Sequence, residues 1–188
     1  MNPILYILQQ VHPLSMETQE AFSSILHTKQ VKRGDHLVRI GQVPENFYFV
    51  VKGLARVYYL RNDQDITDYF AIDNQFIGAL PALFSQQPSH KAIEVLEDST
   101  ISYFSYAAFD KLCEQHHDLE RASRKMTIYG MLEGQQRIES IRFLSAKERY
   151  EELEKLYPGI TNRAPLKHIA SYLGTTQVSI SRIRAGKQ

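Results

Sequence analysis

A single cysteine, Cys113, in 188 residues leaves no partner for an internal disulfide. It also removes the several thiolates that an iron–sulfur cluster or a cysteine-rich zinc site requires. An excess of charge of one sign is lacking as well. With 22 Lys and Arg against 21 Asp and Glu, the formal net charge is +1, so any electrostatic argument for nucleic-acid or membrane binding must be local. No window approaches the roughly 20 apolar residues of a spanning helix. The stretch MNPILYILQQVHPLSMETQ has no basic start, and Gln9, Gln10 and His12 interrupt its apolar run, so it does not read as a secretory signal. The expectation is a cytoplasmic protein with no membrane partner. Its length suits one or two compact domains of about 100 to 200 residues.

Three textures follow one another along the chain. Ser15 is placed to cap a helix reaching about residue 28, in which Phe22, Ile25 and Leu26 recur at helical spacing. From about 29 to 104 short β-rich runs alternate with turns: HLVRI, FYFVVKG, LARVYYL, the polar turn RNDQD, ITDYFAI, AIEVL and TISYFSY. Such spacing predicts an antiparallel sandwich or roll. After about 105 the pattern is helical. Leu119, Ala122, Met126 and Tyr129 follow at spacings of 3, 4 and 3, which fits a seam for a partner helix. Beyond it Gly130, Gly134, Glu133 and Gln136 weaken the stripe, and packing of these residues on their own domain stays open as the alternative.

The C-terminal stretch HIASYLGTTQVSISRIR is more specific. Leu166, Ile169, Ala170 and Leu173 share one face of a short helix that Pro165 begins. Gly174 ends that helix through a left-handed turn. Thr175 or Thr176 then caps a second helix with Ile180 and Ile183 turned inward. This is a helix-turn-helix pattern. At about 100° per residue, the outward face of the second helix carries Val178 and Arg182 flanked by Ser179 and Ser181, with Thr176 and Gln177 at its start. An amide, hydroxyls, a thymine-sized apolar contact and a guanidinium suit base edges and phosphates. The segment 164–188 holds Lys167, Arg182, Arg184 and Lys187 and no Asp or Glu, a local basic footprint that the net charge conceals. The alternative is a helical hairpin with a solvated basic face.

On the stretches VKRGDHLVRIGQVPENFYFVVKGLARVYYL, NQFIGALPALF and IASYLGTTQVSISRIR, which with their surroundings cover most of the chain, the sequence resembles the Crp/Fnr family of bacterial transcription regulators. The resemblance implies an α+β chain. An N-terminal antiparallel β-roll with flanking helices (1–117) is followed by a long dimerisation helix (118–143) and a small helix-turn-helix domain (144–188). It implies a homodimer on double-stranded DNA, with half-sites about 34 Å apart, and RNA polymerase as a further partner. In family terms Gly34, Gly41 and Gly53 mark turns between roll strands. The family's cyclic AMP cassette has a glutamate for the ribose and an arginine for the phosphate. Here the corresponding pocket would be Gly78, Ala79, Leu80, His90, Lys91 and Ala92, with Ala79 at the glutamate position and His90 at the arginine position. Alanine offers no acceptor and histidine no guanidinium fork, so cyclic AMP is not expected to bind. The effector is some other small molecule or none. Pro81 and an extra residue before Leu83 and Phe84 suggest a reshaped cassette helix.

Other chemistries find little support. Scattered His12, His27 and His36 do not define a haem site, and no metal or other cofactor is expected. Cys113 reads as a small, partly buried residue rather than a redox switch. A metal-binding roll enzyme needs histidines at strand spacing, whereas His116 and His117 fall in a helical region. No nucleophile elbow marks a hydrolase, so no enzyme activity is expected. The remaining alternative is a signalling module of the same fold whose C-terminal helices contact protein rather than DNA.

Overall fold

The computed structural model describes residues 2 to 186; Lys187 of the basic footprint lies outside them. Eight strands, β1 (His27–Val31), β2 (His36–Val38), β3 (Asn46–Lys52), β4 (Ala55–Arg61), β5 (Gln64–Ala71), β6 (Gln75–Ile77), β7 (Lys91–Val95) and β8 (Ser99–Ser105), form two four-stranded sheets. Their orders are β1-β8-β3-β6 and β2-β7-β4-β5, and every pairing is antiparallel. Alternation sorts the side chains. On β4, Ala55 and Val57 enter the roll interior with Tyr48, Val50, Ala71, Ile93 and Ile101, while Arg56 between them takes the opposite face. The β4–β5 hairpin closes on Asn62 and Asp63, both at positive φ (51° and 59°), the two-residue turn these side chains tolerate.

Helices cover both outer faces of the roll. On one side lie α1 (Pro3–Val11), α2 (Met16–Ser24), α4 (Tyr106–Gln115) and the start of α5 (His117–Phe143). They enclose Phe49 and Phe104 with Ile4, Leu5, Leu8 and Phe22. Helix α1 was not evident from the sequence; Asn2 caps it at 2.9 Å from the Ile4 amide, and Pro3 occupies its first turn. Ser15 caps α2 as expected, but α2 stops at Ser24 because from His27 the backbone pairs with β8. On the other side lie α6 (Ala146–Leu156), α7 (Ile160–Arg163), α8 (Leu166–Tyr172) and α9 (Gln177–Arg184). They bury Leu54, Phe70, Ile72 and Leu96 of the roll beneath Leu153, Tyr157, Ile160 and Ile169. The short α3 (Leu80–Ser85) spans β6 and β7.

The expected dimer seam needs correction. Leu119 and Ala122 are fully buried against the chain's own α1, α2 and roll, and Met126 packs on the same cluster. The N-terminus of α5 is fastened there by Asp118, which accepts from the Ser15 amide at 2.7 Å and the Thr18 hydroxyl at 2.8 Å. Only Tyr129 of the four is exposed. Uncovered apolar residues of α5 are Ile128, Tyr129, Met131, Leu132, Ile138, Ile141 and Phe143, between 41% and 78% exposed. At about 100° per residue Ile128, Met131, Leu132 and Ile138 form a stripe roughly opposite Leu119 and Met126.

Candidate nucleic-acid interface and cassette positions

Pro165 is the N-cap of α8, and Gly174 (φ 63°) ends it. The Gly174 amide donates to Ser171 O at 3.2 Å and the Thr175 amide to Ala170 O at 3.0 Å, the paired bonds of a Schellman motif. Thr176 then caps α9 through the Ser179 amide at 3.1 Å. Fully buried Ile180 and half-buried Ile183 fix α9 to the core beneath it. Arg149 bonds Leu173 O at 3.1 Å and Leu144 O at 2.7 Å, joining the turn to the end of α5.

The expected DNA-reading residues divide into two groups. Gln177, Val178, Ser181 and Arg182 are exposed, and among the described residues their side chains make no hydrogen bond. Thr176 and Ser179 are engaged in the cap, their hydroxyls 3.0 Å apart. Arg184 leaves the basic footprint, since it bonds the Tyr150 hydroxyl at 3.0 Å and Thr161 O. Lys167 is exposed.

Helix α8 is docked on the outer face of β4 and β5. Arg56, 2% exposed, bonds Glu94 at 2.8 Å, Asp65 at 3.0 Å and Thr67 at 3.1 Å. The Arg56 guanidinium holds the Asp65 carboxyl below its usual range. His168 is buried beside it, with Nδ1 3.8 Å from Asp65 and without a hydrogen bond among the described residues. Burial, helped by the Arg56 charge, lowers the His168 pKa to about 4. The Thr67 amide donates to Ser171 Oγ at 3.1 Å. At one end of the roll Arg163 pairs with Asp73 at 2.8 Å and Glu97 at 2.6 Å. Burial opposes ionisation of Asp73, but bonds from the Gly53 amide and Arg163 outweigh it, and its carboxyl is held below the usual range. These groups escaped the sequence reading because lone charged residues in strands and turns carry no periodicity. The one available signal was Arg56, a charge inside the apolar run LARVYYL.

At the cassette positions several polar groups have partners within the chain. The Tyr69 hydroxyl donates to Gly78 O at 2.7 Å and accepts from the Gly78 amide at 2.9 Å; burial pushes its pKa up. Tyr69, Tyr48 and Tyr103 pack within the roll's interior cluster. Ala79 is buried in that cluster and Ala92 is buried outside it, whereas Leu80 and His90 face solvent. Lys91 is paired with Asp68 at 2.6 Å. Pro81 lies in the first turn of α3, whose N-cap, Ala79, makes no side-chain cap. Burial pushes the Cys113 thiol up to about 12, far from the thiolate a redox switch uses. Among the described residues no group of three or more His, Cys, Asp or Glu side chains could hold a metal ion. No described helix is long and apolar enough to cross a membrane.

A helix-covered antiparallel roll carrying a helix-turn-helix defines a cyclic-nucleotide-binding-type fold with an appended helical module. Residues 28–116 match the family model of the cyclic nucleotide-binding domain. Over most of its length the chain also shares the fold of several solved bacterial regulators. It is similar to FixK2 from Bradyrhizobium japonicum at a TM-score of 0.74 and 18% identity, covering 86% of this chain and 84% of that one. It is similar to CLP, the c-di-GMP responsive global regulator of Xanthomonas campestris, at 0.68 and 14%, covering 92% and 91%. A transcriptional regulator of the Crp/Fnr family from Eubacterium rectale gives 0.69 and 18%, covering 92% and 83%. No curated protein matches the chain by sequence.

Proposed function

We propose that the protein is a cytoplasmic, sequence-specific DNA-binding transcription regulator that works as a homodimer, and that its roll does not take cyclic AMP. The observation that carries the proposal is the bare face of α9. Gln177, Ser181 and Arg182 are presented to solvent on a helix anchored from behind by Ile180, and residues 164–188 contain no acid that would repel phosphate. The uncovered stripe Ile128, Met131, Leu132 and Ile138 supplies the surface for a second copy, which would bring two such faces to half-sites about 34 Å apart. The functional parts are then the roll with its helices (1–117), the pairing helix (118–143) and the reader (144–188).

The cassette argues against a cyclic nucleotide on three counts. Tyr69 occupies the Gly78 amide, Lys91 is neutralised by Asp68, and His90 lies in solvent. Losing both the phosphate and the ribose partners corresponds to about 2 to 6 kcal/mol.

The test is selection of bound sequences from a random duplex pool, followed by affinity measured against salt. A DNA reader gives an enriched motif and an affinity falling steeply with salt; a module that docks protein gives neither. Calorimetric titration of cyclic AMP and cyclic GMP should show no saturable low-micromolar binding. One site per chain at that level would overturn this part of the reading.

A further inference from the structure

We infer that Arg163 is a positioning residue for DNA binding, holding the helix-turn-helix at a fixed orientation on the end of the roll. The inference rests on the proposed DNA-binding function. Arg163 ends α7 and reaches three separate turns: Gly53 between β3 and β4, Asp73 between β5 and β6, and Glu97 between β7 and β8. Its Nη1 donates to Asp73 Oδ2 at 2.8 Å. Its Nη2 donates to Gly53 O at 2.7 Å and Glu97 Oε1 at 2.6 Å, and its Nε to Glu97 Oε2 at 3.3 Å. A planar fork that meets three turns at once has no lysine equivalent.

The receiving surface is itself constrained. Asp73 Oδ1 accepts from the Gly53 amide at 2.8 Å, so two of the three turns are already bonded to each other. Gly53 sits at φ 126°, where an added Cβ would fall 2.0 Å from Ser99 Oγ, so the turn has little room to shift. A second tether lies at the far end of α8, where the Thr67 amide donates to Ser171 Oγ at 3.1 Å. One tether would fix a distance. Two, one ahead of α8 and one at its far end, fix its direction, and α9 packs on α8 through Ile180.

The clasp orients the recognition helix without covering it, since Gln177, Val178, Ser181 and Arg182 remain exposed. Its effect should therefore appear in how well two readers reach two half-sites together, not in how one reader grips one half-site. Avidity of this kind raises affinity by about 10²- to 10⁴-fold when geometry is held, and is lost when it is not.

The experiment compares wild type with Arg163→Met and Arg163→Lys on the selected duplex carrying two half-sites and on one carrying a single half-site. Amide exchange at Thr67 is read in parallel. Arg163→Met should weaken two-site binding by at least about 10-fold while single-site affinity stays within about 2-fold, and Thr67 should exchange faster while Val57 in the interior does not. Arg163→Lys should recover only part of the loss. Glu97→Gln, which keeps Arg163 in place, should move in the same direction by less. Equal losses on both duplexes, or no loss on either, would overturn the positioning role. A wild type that enriches no duplex would overturn the DNA-binding reading itself, and this inference with it.

Discussion

Inside the roll, Tyr69 both donates to and accepts from Gly78 while Lys91 is held by Asp68; on α9, the polar ends of Gln177, Ser181 and Arg182 are left to solvent. In the roll, Tyr69, Gly78 and Lys91 have internal partners, so these residues contribute to stability. On the exposed face of α9 spare donors and acceptors contribute almost nothing to folding and are available to a partner. The two regions should therefore respond to mutation along different axes, and three measurements test that separation.

Tyr69→Ala removes a packed aromatic ring and leaves both Gly78 groups unpaired. It should destabilise the fold by about 3 to 5 kcal/mol, read as a lower denaturant midpoint. A loss below about 1 kcal/mol would mean that Tyr69 does not fill the roll as described. The next effect concerns the docked surface between the two regions. His168 ionises near pH 4 when folded and near pH 6.5 when unfolded, facing Arg56, Asp65, Lys167 and Glu94. Between these values the unfolded chain binds more protons, so acid favours unfolding. Stability is fully present above about pH 6.5 and falls by roughly 1.4 kcal/mol per pH unit on the way down to about pH 4. His168→Leu should remove that slope; an unchanged slope would place its origin elsewhere. The smallest effect on the fold should come from Arg182→Ala. It should leave stability within about 0.5 kcal/mol yet weaken specific duplex binding by about 1 to 3 kcal/mol, by the measure of a lost base contact. A folded variant with unchanged affinity and site preference would remove Arg182 from the reading face.

The helix-turn-helix was legible because its signals are local. Pro165 starts α8, Gly174 provides the left-handed turn, Thr176 caps α9, and Ile180 turns inward. The strands of the roll were legible for the same reason, through alternation and turn residues. The long helix was legible as a helix but not in its facing. Leu119, Ala122 and Met126 repeat at the spacing of a seam, yet periodicity states only that a face is covered and not by what. The cover is α1, α2 and the roll, with Ile4, Leu5, Leu8, Phe22 and Phe104 around Leu119 and Ala122. Asp68, Tyr69 and Arg163 could not be placed at all, because each acts through partners 9 to 110 residues away in the chain.

For a regulator of the proposed kind, the bonds that Tyr69 makes to Gly78 bear on how fast it could respond. A receptor that exchanges metabolites lets a cell retune a fixed pool of protein within seconds, whereas a roll that took no small molecule would remove that dial. Operator occupancy then follows the number of chains present relative to the dissociation constant, as simple mass action requires. Signalling would run on the timescale of synthesis and proteolysis, and the concentration of the protein would itself be the message.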